Sequence, residues 1–515
     1  MKRLWYCVAW LLLLAMLFGC IGAAAEGKEP KYGGVLKIVT ANESNGIGFP
    51  AGIGGNYEAV YCAPVIEPLF MYNNKTAGFD PWLGKSYVLD EEAKTLTIEL
   101  NEGVRFHDGT DFNAEAVVKN YQMFKDNNAT GTKVAESFEA AGDYTVVVHL
   151  TKIDSTTLMG LLVDCGEMIS PATYEAGGAD ACYANPIGTG PFKVAEIQPG
   201  VLYKYEKNED YWIDGLPYLD GIEVIFCNDP STAVSIMKSG EADIYFMALP
   251  EYVIELKDLG FTIISDPAAY TTSTYGIAFN NKLEDSSTSN LLVRKAICHA
   301  IDAEALVDAL GQGLYTYTNQ CAIPGSIEYN DEVVGYEYNP EKARELLKEA
   351  GYENGCPVTI SFQSSGEEML TMILGYLMDA GFDCSIDIVD GAVFSSRIMT
   401  DGDSPYTSIC QYPGSSVREK FKNYWGSSPR MFGGSAIDVP EEIKSLVDTI
   451  TAMPNAEDAK ELVAQMQKLL IDEYCLVMPM YAKTDFVLSD GNVEGADMYV
   501  NTKRQWKPAL TFLTD

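Results

Sequence analysis

Apolar and polar residues alternate through KTLTIEL (94–100) and YTVVVHL (144–150), the pattern of strands with one buried face. Between them, DFNAEAVVKNYQMF (111–124) places Val117, Val118, Tyr121 and Phe124 on one helical face, with Asn113 positioned to cap it. GGVLKIVTA (33–41) reads as a short apolar strand after a glycine pair. NDPSTAVSIMKSGEADIYFM (228–247) reads as cap, helix, stop at Gly240, then strand, with Ser231 as the predicted N-cap. In NPEKARELLKEAGYENG (339–355), Asn339 caps, Pro340 takes the first helical position, and Ala343, Leu346, Leu347 and Ala350 form the apolar stripe. Gly351 ends it. Residues 369–390 repeat the order helix, Gly381, strand, and 456–481 read as a long helix followed by a buried strand. Strand and helix signals that alternate over the whole chain predict an α/β fold.

Length and composition fit that picture. The 515 residues predict two or three lobes, and 47% hydrophobic against 21% charged residues is ordinary for a globular protein. Charge is not ordinary: 73 acidic against 36 basic residues give a net charge of −37, a surface that repels nucleic acid. Residues 1–19 form a signal peptide, with a short basic start (MKR) and an apolar run too short for a confident membrane span. Two cuts compete. LFGC (17–20) resembles a lipobox, which would lipidate Cys20 and leave residues 20–32 as a tether. Ala23-Ala24-Ala25 offers a small-x-small site for ordinary signal peptidase. The lipidated form is preferred, with its acyl chains holding the protein on the outer face of the cell membrane. The remaining cysteines show no C-x-x-C pairing and read as buried free thiols.

RFHDGT (105–110) poses the question of catalysis, because a histidine beside an aspartate can serve as a base. Asp108-Gly109 is also a turn pair ahead of a capped helix, and no third catalytic partner lies nearby in sequence, so His107 and Asp108 are read as structural. His107, His149 and His299 lack ligand spacing, so no metal is expected. There is no G-x-S-x-G and no phosphate loop. GIGFPAGIGG (46–55) is read as a loop lining a cleft, and GTGP (188–191) as a backbone turn.

The order of motifs resembles the extracytoplasmic solute-binding proteins of ABC importers, in the peptide- and nickel-binding class. The likeness runs from GGVLKIVT through VIEPLF (65–70), LNEGVRFHDGTDFNAEAVV (100–118), NPIGTGPFKV (185–194), KNEDYWIDGLPYLDGIEV (207–224) and STAVSIMKSGEADI (231–244). LVRKAICHAIDAEALV (292–307) and NPEKARELLKEAGY (339–352) extend it over nearly all of the mature chain. The resemblance implies a two-lobed α/β clamp of the Venus-flytrap kind with an additional subdomain. Lobe I would comprise 33–59, 185–274 and 485–515, the subdomain 60–184, and lobe II 275–484. Chain crossings near 273–279 and 482–488 would act as hinges.

The function implied is that of a non-enzymatic monomer without cofactor. It would hold a peptide or peptide-like solute between its lobes and deliver it to ABC permease subunits. The alternatives are a ligand-sensing surface lipoprotein and an exported hydrolase, the latter lacking a nucleophile–base pair. The ligand contacts implied are Asn42, Glu43 and Asn45 after the first strand, Tyr275 and Phe279 at the crossing, and Gln411 and Tyr412 in lobe II, with Arg397 the nearest basic group. Peptide binders of this class place an aspartate in the lobe II loop to meet the ligand amine. Here Tyr412, Pro413 and Gly414 stand near that place, and Glu419 is the next acid downstream, with Asp401 and Asp403 upstream. Glu367 and Glu368 occupy the stretch where dipeptide binders carry an arginine for the carboxylate. A free dipeptide held by both ends is therefore not expected.

Overall fold

The computed structural model describes residues 29–52, 58–73, 76, 78–265, 274–363, 367–399, 407–412, 416–427, 429, 437–482, 486–496, 498 and 506–514. Cys20 and both candidate cleavage sites lie outside them. No helix among the described residues is long and apolar enough to cross a membrane.

Two large sheets organise the chain. The first has seven strands in the order Phe192–Gln198, Leu202–Lys207, Gly221–Phe226, Val35–Thr40, Ile244–Ala248, Phe486–Ser489, Thr262–Ile263. Its central strand shows why it is buried on both faces. Leu36 and Ile38 point into one core, and Val39 points into another under helices Pro230–Ser239 and Pro250–Asp258. Adjacent side chains alternate sides, so an apolar run without alternation signals a doubly covered strand. The second sheet has six strands in the order Thr316–Tyr317, Val477–Ala482, Thr274–Ala278, Thr407–Tyr412, Cys356–Gln363, Phe382–Val389. The chain passes from the first sheet to the second between Ile263 and Thr274, and returns between Ala482 and Phe486.

A four-stranded antiparallel sheet, ordered Gly84–Asp90, Thr95–Leu100, Thr145–Leu150, Ala135–Ala140, forms a subdomain. Leu96, Ile98, Val146 and Val148 pack from it against helix Ala114–Asp126, and this core is continuous with Leu36 and Ile38 of the first sheet. The second sheet has its own core, built among the described residues from Ile277 to Tyr481 and including the fully buried Trp425. Two sheets with separate cores, joined by two chain passes, make a two-lobed clamp with a subdomain fixed to the first lobe.

Local signals explain most boundaries. Asn113 and Asn339 accept the amides of Ala116 and Lys342 at 3.0 and 2.9 Å, the expected caps. One cap differs. Asp229, not Ser231, accepts the Thr232 amide at 2.8 Å, because Pro230 occupies the first helical position and leaves the cap to the residue before it. The glycine-rich segment also differs from expectation over its described part. Ile47 and Phe49 are buried core residues, and Gly48, at φ +104°, presses on the Cys182 carbonyl, where an added Cβ would stand only 2.1 Å away. That part packs against the subdomain instead of lining a cleft.

Candidate functional site

The HDGT turn is held by its own side chains and by its neighbours. Gly109 takes φ +82°, and Asp108 accepts the Thr110 amide at 2.9 Å and its hydroxyl at 2.6 Å through one oxygen and the Ser170 hydroxyl through the other. His107 Nε2 lies 2.8 Å from the Gly190 carbonyl, which can only accept, so Nε2 carries the proton. The His107 amide bonds Gly188 O at 2.9 Å. Burial holds the ring neutral, lowering its pKa to about 4, against the opposing pull of the Gly190 carbonyl. GTGP is thus the turn that this histidine pins. Gly188 must be glycine there, since a Cβ would lie 1.9 Å from the Val65 carbonyl. His107→Ala is expected to cost about 1–2 kcal/mol of stability by loss of this clamp. Solute affinity should stay within a few-fold in calorimetry, and a large affinity loss in folded protein would contradict the structural role.

The residues proposed for ligand contact divide into groups. Asn42 sits beside the chain passes: its Nδ2 reaches Met247 Sδ at 3.6 Å, and its carbonyl accepts the Tyr61 hydroxyl at 2.7 Å. Met247 is a bulged residue at φ +64° in the strand that pairs with Phe486–Ser489, and the bulge re-aims its side chain. Tyr275 lies at the second-lobe end of the same region. It stacks on Tyr481 (4.9 Å between centroids), which stacks on Tyr315 (5.3 Å), which faces Phe486 of the first sheet (6.5 Å). This column of near-parallel rings bridges the lobes beside both passes. The sequence reading missed Met247, Tyr315 and Tyr481; a high tyrosine count was the available signal, and it carries no position.

The others lie elsewhere. Glu43 and Asn45 are exposed, and the Asn45 amide is tied to Glu58 at 2.7 Å. Phe279 is fully buried in the second-lobe core. Arg397 pairs with Asp387 at 2.5 Å, and Asp387 lies on a strand three positions from Tyr275's in the sheet order. The Gln411 backbone pairs with that of Tyr275, and Tyr412 with Thr274. The side chains of Gln411 and Tyr412, and all of Asp401, Asp403, Pro413 and Gly414, lie outside the described residues.

A cavity of about 370 Å³ opens where the subdomain meets the second lobe. Tyr72, Phe79, Tyr87 and Asp164 form one wall; Ser416, Arg418, Glu419 and the start of helix Ala456–Lys468 form the other. The Arg418 guanidinium is balanced by buried Glu328 at 3.4 Å and donates to Met453 O at 2.8 Å. The carboxyls of Asp164, Glu419, Glu457 and Asp458 line the same cavity, so acidic side chains outnumber basic ones among its described lining residues. The walls touch directly at one edge. The Ser155 amide bonds Thr451 O at 2.7 Å, and Lys422 Nζ stands 3.5 Å from Asp154, which Lys152 also holds at 2.9 Å. Among the described residues no group of three or more His, Cys, Asp or Glu is arranged for a metal.

This architecture matches known proteins. The family described as bacterial extracellular solute-binding proteins, family 5 Middle, matches residues 78–432, and the chain belongs to that family. The glutathione-binding protein GsiB of Pectobacterium atrosepticum is 29% identical over 337 residues, 62% of this chain and 63% of that protein. The chain thus matches less than two thirds of the length of such curated relatives. Among solved structures, the ABC transporter substrate-binding protein CtaP of Listeria monocytogenes superposes with TM-score 0.79 at 19% identity, covering 94% of this chain and all (100%) of that one. The oligopeptide-binding protein AppA of Bacillus subtilis, solved with a nonapeptide, gives 0.71 at 19% identity over 95% of this chain and 100% of its own. At these identities the structures establish the fold.

Proposed function

We propose that this protein captures a peptide or peptide-like solute between its lobes and hands it to the permease of an ABC importer, as a monomer lipid-anchored outside the cell through Cys20. Lobe I would be 33–59, 185–274 and 485–515 with the 60–184 subdomain, and lobe II 275–484. The observation that carries this is the cavity between subdomain and second lobe, whose volume of about 370 Å³ falls in the range of small-molecule sites. Its aromatic and acidic lining suits a ligand with apolar groups and a free amine. A buried ammonium needs a carboxylate partner, and Glu419, the acid just downstream of the expected loop position, stands in the wall. GsiB is a glutathione-binding protein and AppA was solved with a nonapeptide, which supports a peptide-like solute. A dipeptide gripped at both ends remains the disfavoured ligand, since Arg418, the lining guanidinium, is already paired with Glu328.

Calorimetry against free dipeptides, longer peptides and end-blocked analogues tests the ligand class. Binding of longer peptides, or of peptides blocked at the carboxyl end, is expected. Sub-micromolar binding of plain dipeptides, abolished by blocking the amine, would contradict it.

Closure gives a further test. Lys422 and Asp154 face each other across the lobes, so Lys422→Ala should weaken solute binding about two- to five-fold at low salt, within the range of partly exposed pairs. High salt should erase most of the difference. Equal affinities at low salt would show that the pair does not report closure.

A further inference from the structure

Cys298 and Cys475 are separated by 177 residues, yet their Sγ atoms stand 3.5 Å apart and both residues are completely buried. Cys298 lies near the end of helix Leu291–Ala300. Cys475 lies in the short connection leading into strand Val477–Ala482, which runs to the second pass between the lobes. A disulfide closes at roughly 2.05 Å, so the sulfurs need approach by only about 1.5 Å, within reach of small side-chain rotations.

The backbone at Cys475 adds a second observation. Its φ of +46° lies in the left-handed region, which glycine occupies without cost. That conformation is held by Arg294, which donates to Cys475 O and Tyr474 O, both at 2.9 Å. A glycine would meet the backbone requirement alone; the cysteine brings a sulfur to face Cys298.

We propose that Cys298 and Cys475 are a latent disulfide pair, closed by thiol–disulfide exchange when the exported chain meets a disulfide donor. The Cys475 thiolate attacks one donor sulfur, forming a mixed disulfide and expelling the first donor thiolate. The Cys298 thiolate then attacks Cys475 Sγ, forming the internal bond and expelling the second. The protein loses two protons and two electrons, and one donor disulfide becomes two thiols. Burial opposes ionisation of both groups. At Cys475 the hydrogen bonds from Cys298 and Tyr336, with the Arg294 charge, outweigh it and hold the pKa down, which favours Cys475 as the first nucleophile. Because both sulfurs are buried, exchange takes place during folding or local opening.

The test uses the full-length chain, reduced, then refolded with and without hydroxyethyl disulfide. Thiols are alkylated under denaturing conditions and the digest mapped by mass spectrometry. The expected result is protection of these two cysteines together, recovered as one cross-linked peptide pair lighter by the two hydrogens lost. Its thermal midpoint should rise by several degrees and return on reduction. Cys298→Ser should leave Cys475 alkylatable, and the wild-type map stands by itself should that variant fold poorly. Alkylation of both cysteines after oxidative refolding, or capture of either in another pairing or as a donor adduct without the cross-link, overturns the proposal.

Discussion

Arg294→Ala is expected to lower the stability of the second lobe by about 4 kcal/mol, among the larger effects a single substitution produces. The side chain is 5% exposed and donates to four backbone carbonyls: Cys475 and Tyr474 through Nε and Nη2, Thr288 and Ser289 through Nη1. These carbonyls belong to the loop before helix Leu291–Ala300 and to the connection entering the Val477–Ala482 strand. Truncation opens a cavity and leaves the buried Cys475 and Thr288 carbonyls, and the part-buried Tyr474 and Ser289 carbonyls, without this donor; each buried acceptor left bare costs about 1–3 kcal/mol. Arg294→Lys should recover only part of the loss, since one ammonium cannot reproduce the guanidinium's fork. Differential scanning calorimetry should show a lowered transition for this lobe, and a loss below about 1 kcal/mol would mean that the four bonds are not what holds the segment.

Glu67→Ala should have a comparable effect on the first lobe, and Glu67 also sets a pH dependence. Its carboxyl is 3% exposed and accepts four hydrogen bonds: Tyr211 at 2.6 Å, Trp82 and Thr189 at 2.8 Å, and Trp212 at 3.1 Å. These donors come from both the subdomain edge and the first lobe, so removal strands four donors at once, at about 4 kcal/mol in sum. Burial pushes the Glu67 pKa up to about 7, with the donors pulling the other way. The folded state thus holds the proton more firmly than the unfolded chain. Its contribution to stability is fully present below pH 4.5 and lost as pH rises through about 7, a change of about 3 kcal/mol.

His107 works in the opposite direction. Held down to about 4 from 6.5, it contributes stability above pH 6.5 that is lost as pH falls toward 4. The two gradients oppose each other in the wild type, so the variants separate them. Relative to Glu67→Gln, the wild type should gain stability as pH falls from 7 to 4.5. A difference independent of pH would show that Glu67 is ionised throughout.

What the sequence made legible was local. Alternation in Thr95–Leu100 and Thr145–Leu150, the caps at Asn113 and Asn339, and the stop at Gly240 follow from nearest-neighbour chemistry and stand as expected. The Asp229 cap was missed because a serine and a proline compete within three residues. Motif order identified the family, and with it the clamp. The site was less legible because it is made of distant pieces. Nothing in the chain says that Tyr481 lies between Tyr275 and Tyr315, or that Lys422 faces Asp154. Phe279 follows a strand with no alternation, and such a run hides which way a side chain points; here it points into the core. Glu419 was singled out by a departure from the family's pattern, and the structure places it in the cavity wall.

The central claim is that a solute is held between the lobes and released unchanged. Native mass spectrometry of the full chain, purified without denaturation, tests it most directly. The predicted result is one small molecule bound per chain, recovered chemically intact after release and displaced by the peptides that bind in calorimetry. Recovery of the bound molecule as cleavage products, or turnover of added peptide by the purified protein, would contradict the account.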